Sequence, residues 1–198
     1  PHAKIAVNLS AKQLIRQDML VQIKRILKRT GFPPEQLIIE LTESLVLDTL
    51  TKTSETLMGL RDMGIEIAID DFGTGYSTFK LLKTLPVDIL KIDQMFIANL
   101  LDNKVDVAIT QAIIDVAHAL DMRVVAEGVE NVEHADLLQE LGCDTIQGFY
   151  LSEALPRAEI TKLLCLGIPG ITKQRTNADI EETQRKMAEK KNEKLALA

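Results

Sequence analysis

Asp70 and Asp71 stand side by side at the end of the apolar run Ile67-Ala68-Ile69, and Phe-Gly-Thr-Gly follows them. Adjacent carboxylates raise each other's pKa unless a cation or a hydrogen-bond donor offsets them. The same pattern recurs along the chain, where short Val- and Ile-rich stretches end in groups able to do chemistry: Asn8, Glu40 and Glu43, Lys91 and Asp93, Glu127 and Glu130, and Gln147. Amide and carboxylate oxygens without accompanying His or Cys suit magnesium, manganese or calcium rather than zinc. Carboxylates around one rim can hold two cations bridged by an aspartate, an arrangement that activates water for displacement at phosphorus. Lys91, a cation among acids, is expected to orient or deprotonate that water, with nearby metal charge lowering its pKa.

The elements that must position these groups follow from periodicity. The stretches KIAVNLS, QLIIELTES, IEIAIDDFG, DILKID, MRVVAEGVE and DTIQGFYLS are expected to be strands. Between them lie residues at helical spacing: Leu14, Leu20, Ile23 and Leu27; Leu57, Leu60 and Met63; Val107, Ile109, Ile113, Val116 and Leu120. Gly31, Gly64 and Gly142 mark helix ends. Strands alternating with helices predict parallel pairing with helical cover. Polar groups at the ends of successive strands favour a (β/α) TIM-type barrel with a site on its C-terminal rim, because an open doubly wound sheet gathers ligand groups near its switch point.

Composition narrows the class. With 46% hydrophobic and 26% charged residues in 198, a globular domain with a sizeable core is expected. The net charge of -6 argues against a broad basic face for duplex nucleic acid and leaves room for a small anion held through metal. Cys143 and Cys165 are too few for a disulfide framework. No apolar run approaches the roughly 20 residues that cross a bilayer, so the setting expected is cytoplasmic, with no membrane segment in this chain. The stretch from Lys173 is densely charged, which divides the chain into residues 1–168 and a charged tail, helical or disordered, at 169–198.

Taken in order, VNLS, ELTES, DDFGTGYS, LPVDILKID, AEGVE and QGFYLS closely resemble the EAL domain, the cyclic di-GMP phosphodiesterase family, from about Ile5 to Leu166. The resemblance implies a (β/α) barrel that hydrolyses cyclic di-GMP to linear pGpG with two Mg2+ or Mn2+ ions. It implies that Asn8, Glu40 and Asp70 hold one metal, that Asp70 bridges to the second, and that Asp71 and Glu127 complete the second. By the same likeness Lys91 contacts the nucleophilic water, Glu130 supports it, Glu43 steadies the loop after Asp71, and Gln147 and Asp93 lie near the substrate. Glu43 also suits an ordinary helix N-terminus. The Asp71–Ser77 region is implied as a homodimer contact. Two departures stand out. The family's Glu-Ala-Leu strand, which carries a further ligand of the first metal, has no counterpart in the sequence, so an incomplete barrel of weakened activity is expected. Glu153 and Ala154 occupy positions where relatives carry a basic residue and a proline. The alternative function is a receptor module that binds cyclic di-GMP without cleaving it.

Overall fold

In the computed structural model, residues 3–16, 18–42, 54–73 and 82–166 are described. They form strands β1 (Ile5–Asn8), β2 (Leu37–Thr42), β3 (Glu66–Phe72), β4 (Ile89–Ile92), β5 (Arg123–Ala126) and β6 (Thr145–Ile146). All adjacent pairs are parallel and the sheet order equals the chain order, β1 through β6. Parallel neighbours require a crossover, and helices supply it. These are α1 (Ala11–Leu14), α2 (Met19–Thr30), α3 (54–62), α4 (Gln94–Ile97), α5 (Lys104–Ala119) and α6 (Val132–Glu140). The sheet stays open between β1 and β6, so the expected incomplete barrel is what the strands build.

Helix limits have local causes. The helical spacing from Leu14 to Leu27 is divided between α1 and α2, and α2 ends at Gly31, left-handed at φ 68°, whose N–H donates to the Leu27 carbonyl. Asn103 caps α5 by accepting from the Val105 N–H, and Asn131 caps α6 by accepting from the His134 N–H. Asp93 does the same for the short α4 through the Met95 N–H, at 2.7 Å. That helix lies outside the sequence expectation because four residues carry no readable period.

Strand alternation divides the sheet into two faces. Ile39, Leu41, Ile67, Ile69, Leu90, Ile92, Val124 and Ala126 point one way and are buried with Leu57, Leu60, Ile113, Ala117 and Leu138 of the helices. The opposite, inward face is layered. At its N-terminal end Glu66 takes Lys4 and Arg123 at 2.5 and 2.7 Å. Ala6, Ile38, Ala68, Ile89 and Val125 line an apolar middle void of about 340 Å³. Glu40 and Lys91 border that void at the C-terminal end, where the site begins.

The chain divides into two compact units, Pro1–Ala154 and Leu155–Ala198. The sheet belongs to the first. In the second, helix α7 (Arg157–Leu166) is described.

Candidate active site at the strand ends

β3 resolves the problem of two adjacent aspartates. Ala68 and Ile69 pair with Ile89 and Leu90, but the next pairing is Phe72 with Ile92, so Asp70 and Asp71 together face Lys91. This is a β-bulge, one extra residue on one strand. Asp71 absorbs it with a positive φ of 55°, a conformation that Asp tolerates better than most residues. In a regular strand Asp71 would point away from Asp70, into the helix-covered face, and Phe72 would point inward. With the bulge, Phe72 is buried in the core, and oxygens of Asp70, Asp71 and Glu127 lie within 4.8 Å of one another.

Lys91 anchors the centre. Its Nζ lies 2.8 Å from Glu40 Oε1, 2.7 Å from Asp70 Oδ1 and 2.6 Å from Glu127 Oε1, with only 6% of the side chain exposed. Burial pulls the ammonium's pKa down, but hydrogen bonds to Asp70, Glu127 and Glu40 outweigh it and leave Lys91 raised. With no metal ion at the rim, its three anionic neighbours thus keep Lys91 a charged donor; the expected depression belongs to the metal-bound site. Asn8, opposite Glu40 in the β1–β2 register, donates its amide N–H to Glu40 Oε2 at 3.2 Å.

The acids are unevenly stabilised. Burial raises the carboxyl of Asp71, and the neighbouring Asp70 and Asp93 charges add to it. Burial also raises Glu127, and Asp70 and Glu40 add to that against the opposing pull of Lys91. One ammonium thus meets Glu40, Asp70 and Glu127 directly, while Asp71 and Asp93 crowd the same edge. An all-oxygen donor set carrying this excess of negative charge fits one or more hard divalent cations.

Glu130 is not among Lys91's ion-pair partners; it is exposed on the wall of an adjoining cleft of about 270 Å³ with Asp71, Asp93 and Glu127. Gln147 is also exposed there, its backbone tied to Ala126 and Val129. Glu43 and residues 74–77 of the expected dimer loop lie outside the described residues. Gly73, where that loop starts, sits at φ 99° against Phe96, whose ring would be 2.7 Å from an added Cβ. Gln94 and Phe149, absent from the sequence expectation, line the same cleft. The one sequence signal for Gln94 is its position directly after Asp93.

A parallel α/β sheet whose strand ends gather carboxylates around one buried lysine defines a protein of the (β/α)-barrel class, with an acidic rim cluster that could hold hard cations. The comparisons place it further. The sequence profile of the EAL domain matches residues 1–154, and the chain belongs to the EAL domain family.

The chain is 40% identical over 156 residues to the bifunctional diguanylate cyclase/cyclic di-GMP phosphodiesterase MucR of Pseudomonas aeruginosa, covering 79% of this chain and 23% of MucR. The solved MucR phosphodiesterase in complex with c-di-GMP superposes with a TM-score of 0.75 at 40% identity, over 79% of this chain and 64% of that one. The EAL domain of Mycobacterium smegmatis DcpA gives a TM-score of 0.79 at 42% identity, over 83% and 74%. Klebsiella pneumoniae BlrP1, solved as a manganese/cy-diGMP complex, gives 0.71 at 32% identity, over 76% and 38%.

Proposed function

We propose that this domain hydrolyses one phosphodiester of cyclic di-GMP to give linear pGpG, with two Mg2+ or Mn2+ ions at the strand ends. The observation that carries the reading is the bulge at Asp70 and Asp71, which turns two neighbouring carboxylates toward Glu127 and Lys91 within a cyclic di-GMP phosphodiesterase family. Asn8, Glu40 and Asp70 would hold one ion, and Asp71 and Glu127 the second, with Asp70 between them. Bound there, the ions would supply water activation and offset charge at phosphorus.

The chain's own groups divide the remaining work. Lys91, held charged, would orient the attacking water, with an N–H that becomes available as the ions draw one of its three carboxylates away. Glu127, 2.6 Å from Lys91, would act with it in the chemistry beside the second ion. Asp93 and Gln147 face the substrate, and Glu130 supports the wall of the cleft. Glu43 and the Asp71–Ser77 region belong to the same reading as loop support and homodimer contact. The setting is cytoplasmic; among the described residues no helix is long and apolar enough to cross a membrane.

The test is incubation of the chain with cyclic di-GMP and Mn2+, with nucleotides separated by chromatography, alongside equilibrium binding in Ca2+. Binding with pGpG formation supports the enzyme. Binding without turnover in either Mg2+ or Mn2+ would replace it with the receptor alternative, and absence of both would end the cyclic di-GMP reading.

A further inference from the structure

Residues 11–30 carry six cations, Lys12, Arg16, Lys24, Arg25, Lys28 and Arg29, against one acid, Asp18, in a chain whose net charge is -6. Arg16 is spent on Asp18 at 3.1 Å, and Lys4, Arg61 and Arg123 each hold a carboxylate elsewhere. The four cations of α2 are all exposed, and their side chains have no ion-pair or hydrogen-bond partner among the described residues. With Val21, 58% exposed, they follow the spacing i, i+3, i+4, i+7, i+8 along one stripe, while Met19 and Ile23 bury the opposite side of the helix. The helix does not need this stripe. Its macrodipole favours Lys28 and Arg29 in the last turn, but Lys24 and Arg25 lie before it, and like charges at i, i+4 oppose the helix. A face built only for solubility would mix signs. Lys24 and Lys28 also line, with Phe32, Pro33, Pro34 and Met63, a groove of about 470 Å³, so cationic heads stand beside apolar surface.

α2 returns from the C-terminal end of β1 toward the start of β2, and its basic second half approaches the end of the sheet away from the carboxylate rim. Four cations spread over about 12 Å of convex helix cannot converge on one small anion. They fit an extended array of negative groups with hydrocarbon beneath it, and a bilayer surface containing anionic phospholipid is such an array. An acidic protein segment would have to match the stripe in register, whereas a lipid array needs none. We propose that α2 docks the domain on an anionic phospholipid surface. Lys24, Arg25, Lys28 and Arg29 meet the headgroup phosphates, Val21 and the groove take the apolar level below them, and the rim stays open to solution. The acidic remainder of the chain is repelled by the same surface, which favours this orientation.

The experiment is sedimentation of the full chain with vesicles of phosphatidylcholine alone or mixed with phosphatidylglycerol, in chelator so that no divalent ion bridges the rim acids to lipid. One variant combines Lys24→Gln, Arg25→Gln, Lys28→Gln and Arg29→Gln, which keep good helix formers. A control loses the same charge through Lys83→Gln, Lys104→Gln, Arg157→Gln and Lys162→Gln, all at exposed positions. Melting curves verify folding. Wild type and control are expected to bind the phosphatidylglycerol vesicles alone, and less so as salt rises from about 0.1 to about 0.5 M. Each cation at such a surface is worth about fivefold in affinity, so the α2 variant should bind about a hundredfold more weakly or not at all. Either pair alone, Lys24→Gln with Lys28→Gln or Arg25→Gln with Arg29→Gln, should lose about twentyfold, which keeps the test open if the combined variant does not fold. Equal binding by the α2 variants and the control would overturn the proposal and place attachment elsewhere in the chain, the charged stretch from Lys173 included. Equal binding to phosphatidylcholine alone, or no vesicle binding by wild type at low salt, would overturn it too. A wild type that ignores vesicles but binds polyglutamate through α2 would replace lipid with an acidic protein partner. None of these outcomes touches the cyclic di-GMP reading, because cyclic di-GMP binding and turnover in solution are expected to be the same in the α2 variants as in wild type.

Discussion

At Lys91 a buried ammonium and three carboxylates settle their charges together. Removing the cation strands Glu40, Asp70 and Glu127 as like charges in a partly desolvated pocket, the costly way to break a buried pair. Lys91→Met is therefore expected to lower stability in the absence of divalent ions by about 3 kcal/mol, read from urea denaturation. Millimolar Mn2+ should restore more of that loss in the variant than it adds to the wild type, because bound metal charge replaces the missing ammonium. With Mn2+ present, the variant is expected to keep measurable cyclic di-GMP binding and lose turnover. Unchanged turnover would remove Lys91 from the chemistry. Asp71 gives the complementary case. Asp71→Asn keeps a residue that tolerates positive φ and removes a charge raised by burial and by Asp70 and Asp93, so stability should hold or rise while Mn2+ affinity falls.

Among the elements, β3 carries the most unusual geometry. Its bulge requires φ 55° at Asp71, and a β-branched side chain cannot adopt that without strain. Asp71→Val is expected to destabilise the domain by about 1 to 3 kcal/mol where Asp71→Asn does not, a contrast visible in thermal melts. Equal melting of the two would mean that the bulge does not depend on this residue. At the other end of β3, Glu66 ties Lys4 to the strand edge and Arg123 to β5. Burial raises its carboxyl, but hydrogen bonds from Lys4 and Arg123 outweigh this and leave it lowered. A lowered folded pKa means stability that is present above the unfolded carboxylate value, about 4.3, and lost as pH falls through the folded one. Glu66→Gln should cost about 1 kcal/mol at neutral pH, and the gap from wild type should narrow as pH falls below the unfolded carboxylate value and close once it is below the lowered folded one. A gap that persists in acid would assign the effect to packing.

At the scale of the whole molecule the net charge is -6, and at the rim Glu40, Asp70, Asp71 and Glu127 outnumber Lys91. Divalent ions that bind only the folded domain should stabilise it by about 2.7 kcal/mol at a hundredfold excess over Kd. Chelator is expected to lower the melting temperature, and Asp70→Asn should abolish that difference because Asp70 touches both Lys91 and the cluster with Asp71 and Glu127. A chelator effect that survives in Asp70→Asn would place the metal elsewhere.

Six strands, their chemical end groups and their order along an α/β chain were legible in the sequence, because each rests on a local signal: period, a capping glycine, a polar residue at the end of an apolar run. Asn8, Glu40, Asp70, Lys91 and Glu127 could be picked out this way, and parallel pairing brings them to one rim. What only the tertiary structure decided depends on distances between strands. Whether Asp71 joins Asp70 or faces the opposite side is a matter of register, set by the pairing of Phe72 with Ile92 and by the burial of Phe72. The charge state of Lys91 depends on three carboxylates from three other strand ends, which hold it raised where no metal is bound. Gln94 enters the cleft because Gly128, more than thirty residues away in sequence, leaves no side chain in its path. Periodicity is a property of neighbours in the chain, whereas a site's charge balance and its bare surfaces belong to neighbours in space.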